Sequence, residues 1–332
     1  MDYALEPIKT YELNTLEAIK EAVINEKRLT PTEEISEKFL ASLKGVSDKT
    51  KESYRKGVKN FFKYCEANNI ERVEEDDITN YYNSLVERIG KEHNGLTINS
   101  VNLFIVSLRK LYKFLEKKGI KNLASDLKSV KTTRQPKKDP LTKEQALELL
   151  RSIDRTTEVG KRDYAIITLL LHAGLRTIEL ERANVEDLRT LGSKQVLQVQ
   201  GKGHKEKDDY VKLTLAPYNA IMDYLSIRKN VKSTDALFTS LSDRSNGQRL
   251  KTRSIREIVK NRLKAIGINT DRITTHSLRH SAITFALLGG ATIQEAQAIA
   301  RHERIDTTLI YAHNLDKLKS NYEESIDNYL AS

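Results

Sequence analysis

Apolar residues recur at three- and four-residue steps along most of this chain, and that period predicts helices wherever it persists. In "DKTKESYRKGVKNFFKYCEANN", Tyr54, Val58, Phe61, Phe62 and Cys65 fall on one face, with lysines and Arg55 on the other. The pattern returns in "DDITNYYNSLVERIG" through Ile78, Tyr81, Tyr82, Leu85 and Ile89. It returns again in "TINSVNLFIVSLRKLYKFLEKKG" through Val101, Ile105, Leu108, Tyr112 and Leu115, with Gly119 as a C-terminal cap. Residues 34–130 therefore predict an all-helical bundle with basic outer faces. Ahead of it, residues 1–33 carry Leu16, Ile19, Val23 and Ile24 at the same spacing, which predicts a short appended helix of no assignable role.

The period breaks at "KSVKTTRQPKKDP", where prolines and cations replace large apolar residues. Residues 131–140 are thus expected to be an exposed linker. Beyond it, residues 141–332 predict a second domain. Thr142 and Gln145 form a capping box, "RDYAIITLLLHAG" is apolar enough to be a central buried helix ending at Gly174, and Thr292 and Glu295 form a second box. Thr275 is expected to cap the helix "THSLRHSAITFALLGG". A single strong strand signal, "KQVLQVQGKGHKEKDDYVKLTL", predicts a hairpin at the edge of this domain. The fold class is mainly α: a helical bundle, then a mostly helical domain with a small β-hairpin or sheet.

Charge narrows the partner. With 56 Lys+Arg against 46 Asp+Glu, the chain carries +10 and attracts polyanions at long range, nucleic acid first and anionic membrane second. No apolar run approaches the roughly 18 residues of a spanning helix, and the N-terminus lacks a basic head and apolar core. The lone Cys65 sits on an apolar helix face and requires no disulfide, which fits a reducing cytoplasm.

The candidate chemistry lies in the second domain: "GLRTIEL" with Arg176, "GKGHK" with Lys202, "HSLRH" with His276 and Arg279, "ARH" with His302, and then Tyr311. Each is weak alone, and a tyrosine beside leucine and isoleucine is ordinarily packing. Together they meet one need. A phosphodiester under in-line attack gathers charge on its non-bridging oxygens, which two forked guanidiniums hold bidentately. Imidazoles move protons, a lysine on a turn can protonate a leaving alkoxide, and a tyrosine hydroxyl can be the covalent nucleophile. Zinc at His276 and His280 is disfavoured because the H-E-x-x-H glutamate is absent and an arginine lies between them; "GKGHK" also lacks P-loop spacing.

In order and spacing this set resembles the tyrosine recombinases, the phage integrases and Xer-type resolving enzymes, over residues 34–332. The family boxes G-L-R-x-x-E-L, G-K-G-x-K and H-x-L-R-H match Gly174–Leu180, Gly201–Lys205 and His276–His280. The nucleophile follows nine residues after the histidine of a tripeptide usually written L-G-H, which here reads Ala300, Arg301, His302. The resemblance implies that Arg176 and Arg279 clamp the phosphate and Lys202 protonates the departing 5′ oxygen. It likewise implies that Tyr311 attacks, His276 takes its proton, His302 donates to the phosphate and Glu179 orients the clamp. It implies no metal, ATP or other cofactor, and a homotetramer on two double-stranded DNA sites for integration, excision or dimer resolution, with accessory DNA-bending or directionality proteins. The tail stripe Leu315, Leu318, Tyr322, Ile326, Tyr329 and Leu330 is expected to pack on a neighbouring protomer or back on its own domain. A type IB topoisomerase-like enzyme and a non-cleaving DNA-binding protein on the same fold are the alternatives.

Overall fold

The computed structural model describes residues 31–131, 138–201, 206–319 and 327–331. The chain divides near residue 134 into two compact units, each with its own core.

The first unit is helical. It comprises α1 (Pro31–Ser42), α2 (Asp48–Ala67), α3 (Glu75–Val86) and α4 (Ile98–Glu116). The apolar stripes read from the sequence turn inward, burying Val58, Phe61, Cys65, Ile78, Tyr81, Leu85, Val101, Ile105 and Leu108. Side-chain caps set the helix starts: Ser47 accepts from the Thr50 N–H and Thr97 from the Ser100 N–H. A Cβ on Gly57 would collide with Ser107, so glycine lets α2 and α4 lie close together. Gly119 takes φ +86° after α4, as its C-terminal position requires. The periodicity reading did not single out α1. It begins ahead of residue 34 and puts Ile35, Phe39 and Leu40 into the core.

The second unit is built around α6 (Glu158–His172), whose Ala165, Ile166, Ile167, Leu169 and Leu170 are all buried. Burial of each leucine contributes about 1.5–3 kcal/mol. Around it pack α5 (Lys143–Arg151), α8 (Leu215–Leu225), α9 (Thr252–Ala265) and α10 (Thr275–Leu288), with α7 (Thr177–Arg182) against α9. Next come α11 (Ile293–Ala300) and α12 (Asp306–Lys319), and residues 327–330 are again helical. Both expected capping boxes form, Thr142 with Gln145 and Thr292 with Glu295. The cap of α10 is Thr274, one residue before the expected Thr275, because the Ser277 hydroxyl accepts from the Thr274 N–H and closes the box there.

The expected hairpin is present as β2 (Lys194–Val199) and β3 (Asp209–Leu213), antiparallel with Leu197 opposite Val211. A third strand, β1 (Leu188–Leu191), pairs with the outer edge of β2 in the order β1-β2-β3. Its four residues are half-buried or exposed, so no alternating pattern announced it. Among the described residues no helix is long and apolar enough to cross a membrane.

Three anchors fix the helices that bear the candidate site. The Leu141 N–H donates to Ser281 Oγ at 2.7 Å, and Arg272 reaches both oxygens of Asp139, tying the entry segment to the start of α10. Buried Asp163 takes guanidinium donors from Arg162 and Arg262, locking α6 to α9. The helix expected over Leu16–Ile24 and the middle of the linker lie outside the described residues. In the tail stripe, the described side chains are those of Tyr329 and Leu330, 81% and 76% exposed.

Candidate active site

Four pieces of chain converge: the turn from α6 to α7, the middle of α10, the end of α11, and α12. Gly174 makes the first turn at φ +57°, and Arg176 follows at the N-terminus of α7. Glu179 is buried one turn on. It accepts the Arg176 backbone N–H at 2.7 Å and Arg176 Nη1 at 2.8 Å, which orients the guanidinium. Arg176 Nη2 donates to the Arg301 carbonyl at 3.0 Å.

Arg279 on α10 is 2% exposed, and its two terminal nitrogens donate to the carbonyls of Gly174 and Ala300. It therefore joins the α6–α7 turn to the end of α11 from beneath. Two of its five N–H donors are spent on these bonds, leaving three. Burial, then Arg176 and Arg301, lower its pKa to about 9, so it stays cationic at neutral pH.

His276 and His280 lie one turn apart on α10, their rings edge-to-face at 4.4 Å. The Tyr311 ring stands edge-on to His280 at 5.0 Å and near-parallel to His302 at 6.4 Å. Tyr311 also packs on the small cluster of Ile283, Ala296 and Ala300. His302 is steered by its Nδ1, 3.0 Å from the hydroxyl of fully buried Thr308, while Gln297 donates to its carbonyl. The structure thus brings together Arg176, Glu179, His276, Arg279, His302 and Tyr311. Lys202 lies outside the described residues. Lys207, at the base of the same hairpin, is held by Asp187 at 2.5 Å.

Three residues at this place were given no role by the sequence reading. His280 was visible in its box without a role, and only the tertiary fold sets it against Tyr311. Thr308 gave no signal beyond its place three residues before the tyrosine. Arg301 occupies a left-handed turn at φ 51°, ψ 50°, where the His302 N–H bonds back to the Gln297 carbonyl. Arginine stands where the tripeptide usually has glycine, and a left-handed turn forms there at the steric cost a Cβ brings to that conformation.

The electrostatics favour an anion. Arg176, Arg279 and Arg301 gather around the buried carboxylate of Glu179, with the more exposed Asp209 3.9 Å from Arg301 Nε. Burial pushes that carboxyl up, but Arg301 and Arg176 outweigh it and hold it below the ordinary range. Arg176, Glu179, Arg301 and His302 line a cavity of about 310 Å³. Burial, reinforced by neighbouring cations, lowers His276 and takes His280 and His302 down to about 4. All three imidazoles are therefore neutral at neutral pH and can accept protons. Tyr311 is pushed up by burial to about 12, against the pull of Arg279, so its hydroxyl needs an acceptor before it can attack.

Those shifts carry a stability consequence. Histidines near 4 in the folded protein and near 6.5 in the unfolded chain make the unfolded state bind more protons between those values. Their stabilisation is complete above about 6.5 and is lost as pH falls toward 4. The melting temperature of the DNA-free protein is expected to drop through that window, and less steeply in His302→Gln. Identical slopes for the two proteins would contradict a neutral buried His302.

Comparison with known proteins identifies the family. Residues 140–317 match the model of the phage integrase family, and residues 37–119 match the phage integrase N-terminal SAM-like domain. The chain belongs to the phage integrase family. Among curated members of the family, a tyrosine recombinase XerC of Caldanaerobacter subterraneus is 31% identical over 331 residues, covering 92% of this chain and 87% of the relative. A tyrosine recombinase XerD of Oceanobacillus iheyensis is 29% identical over 295 residues, covering 86% and 94%. Two solved structures share the fold. XerH recombinase bound to a palindromic difH substrate aligns at TM-score 0.66 and 18% identity, covering 88% of this chain and 85% of its own. Residues 75–356 of lambda integrase bound to DNA align at 0.60 and 15%, covering 87% and 92%. This phage integrase family member is a tyrosine site-specific recombinase, mainly helical with one small antiparallel sheet.

Proposed function

We propose that the protein cleaves and rejoins double-stranded DNA at a specific site with Tyr311 as nucleophile. The carrying observation is the placement of Tyr311 between two neutral imidazoles, His280 and His302, beside the cavity that Arg176 and Arg301 help to line. Arg176 and Arg279 hold the non-bridging oxygens of the scissile phosphate, and His302 donates a further hydrogen bond. As the Tyr311 oxygen bonds to phosphorus, its proton passes to His276 and the bond from phosphorus to the 5′ oxygen breaks. Lys202 supplies the proton that leaves with that oxygen. The product is a 3′-phosphotyrosine and a free 5′ hydroxyl. The phosphodiester's free energy is retained in the new ester, so attack by another 5′ hydroxyl reseals DNA without ATP.

Recombination by this chemistry needs two duplexes, hence four protomers, and the tail stripe is the segment that would join neighbours in such a ring. Accessory DNA-bending or directionality proteins would act on the same assembly. A DNA partner accords with the net charge of +10, and with DNA-bound proteins of the same fold. The cytoplasm is the compartment that offers such a partner.

A nicked duplex that loses its short 5′ fragment after cleavage traps the intermediate. The protein is expected to accumulate a covalent DNA adduct on it in excess EDTA, and sequencing the trapped DNA returns the site. Cleavage without a covalent adduct, or cleavage abolished by EDTA, would overturn this reading.

A further inference from the structure

Resting on that reading of the clamp, we infer that Arg301 is a positioning residue that keeps the charge of Arg176 available to the scissile phosphate by sharing Glu179. The geometry is that of one carboxylate between two guanidiniums. Arg176 Nη1 donates to Glu179 Oε1 at 2.8 Å, and Arg301 Nη2 donates to Glu179 Oε2 at 2.7 Å. Arg176 and Glu179 alone would form a neutral pair, and a neutral pair attracts an incoming phosphate weakly. The third charge makes the trio Arg176, Glu179 and Arg301 a net monocation, on the wall of a cavity whose lining also includes Asp208, Asp209, Glu303 and Arg304. With Glu179 fully buried and Arg301 9% exposed, that difference is felt more strongly than it would be in water.

The investment in placing Arg301 is visible. Its backbone takes the left-handed conformation, which costs an L-residue on the order of 1 kcal/mol. Its side chain is 9% exposed, and Nη1 and Nη2 also reach the carbonyls of Ile299 and Gly174, at 2.9 and 3.4 Å. Its Nε is buried with no hydrogen-bond partner among the described residues; Asp209 Oδ2 on β3 lies at 3.9 Å. A residue that served only to cap α11 would have no need to turn its cation onto Glu179. The carbonyl of Arg301 adds a second tie, since it accepts from Arg176 Nη2.

A charge role and a structural role part company on a neutral substrate. A methylphosphonate at the scissile position replaces one ionised oxygen with a methyl group, so cation shortage no longer penalises attack. Arg301→Gly removes the guanidinium, with its bonds to Glu179 and the Ile299 and Gly174 carbonyls, and relieves the left-handed backbone, so its melting temperature is measured beside its cleavage. Should it melt lower, Arg301→Asn, neutral and tolerant of that conformation, takes its place. On the natural phosphodiester the variant is expected to cleave about 10- to 100-fold more slowly than wild type. On the methylphosphonate most of that deficit should vanish. An equal deficit on both substrates, or none on either, would overturn the inference. Arg176→Ala, assayed alongside, tests the clamp itself: if it cleaves the phosphodiester normally, the reading of the clamp fails whatever Arg301 does.

Discussion

Tyr311→Phe is expected to bind its DNA site as tightly as the parent protein and to form no covalent adduct on a nicked trapping duplex. The substitution deletes one oxygen and leaves the ring, and the ring makes the packing contacts. It faces His280 at 5.0 Å and His302 at 6.4 Å and rests on Ile283, Ala296 and Ala300. Neither the helix nor the cluster beneath it depends on the hydroxyl. Chemistry depends on it wholly, because no other atom of the residue can bond to phosphorus. A gel-shift titration together with a denaturing gel of the trapped product measures both halves. Adduct formation by the variant would move the nucleophile elsewhere, with Tyr322 the nearest tyrosine in sequence. Loss of DNA binding along with cleavage would instead make Tyr311 a packing residue. The raised pKa, about 12, adds a mechanistic constraint. A phenol that remains protonated at neutral pH attacks only when an acceptor is at hand, and His276, kept unprotonated by burial, is the imidazole proposed for that role.

How much of this was legible in the sequence follows from how local each signal is. Thr142 with Gln145 and Thr292 with Glu295 are self-contained hydrogen-bonded boxes, so they formed as read. Adjacent Thr274 and Thr275 offer the same cap chemistry, and the Ser277 hydroxyl chooses between them. The short strand β1 buries too little to leave a pattern; its only claim to strand geometry is pairing with β2. In the site, Arg176, His276, Arg279, His302 and Tyr311 were picked out by the spacing of their motifs, and the fold brings these side chains together. Their supporting cast was not picked out in this way. His280, Thr308 and Arg301 act across gaps of 31, 6 and 122 residues, on Tyr311, His302 and Glu179 respectively. Contacts of that kind exist only once α10, α11 and α12 have packed.

Removing either clamp arginine is expected to cost cleavage about 10²–10³-fold, the scale on which a lost transition-state donor is felt, but the two variants should part in stability. Arg176 is 27% exposed in its side chain, and its partners survive its loss: Glu179 keeps the Arg301 guanidinium and the Arg176 backbone N–H. Arg176→Ala should therefore melt close to wild type while its cleavage collapses. Arg279 is different. Its buried guanidinium satisfies the carbonyls of Gly174 and Ala300, which join the α6–α7 turn to the end of α11. Arg279→Ala leaves both acceptors without that donor, at about 1–3 kcal/mol each where water does not enter. It should melt well below wild type and lose at least as much cleavage. Arg279→Lys keeps the charge without the fork, so it should bind DNA yet remain slow, since one ammonium cannot hold two carbonyls and a phosphate together. Thermal melts alongside single-turnover cleavage separate these outcomes. Equal melting temperatures for the two alanine variants would show that Arg279 does not bridge the turn and the helix end in solution. Full cleavage by Arg279→Lys would reduce its contribution to charge alone.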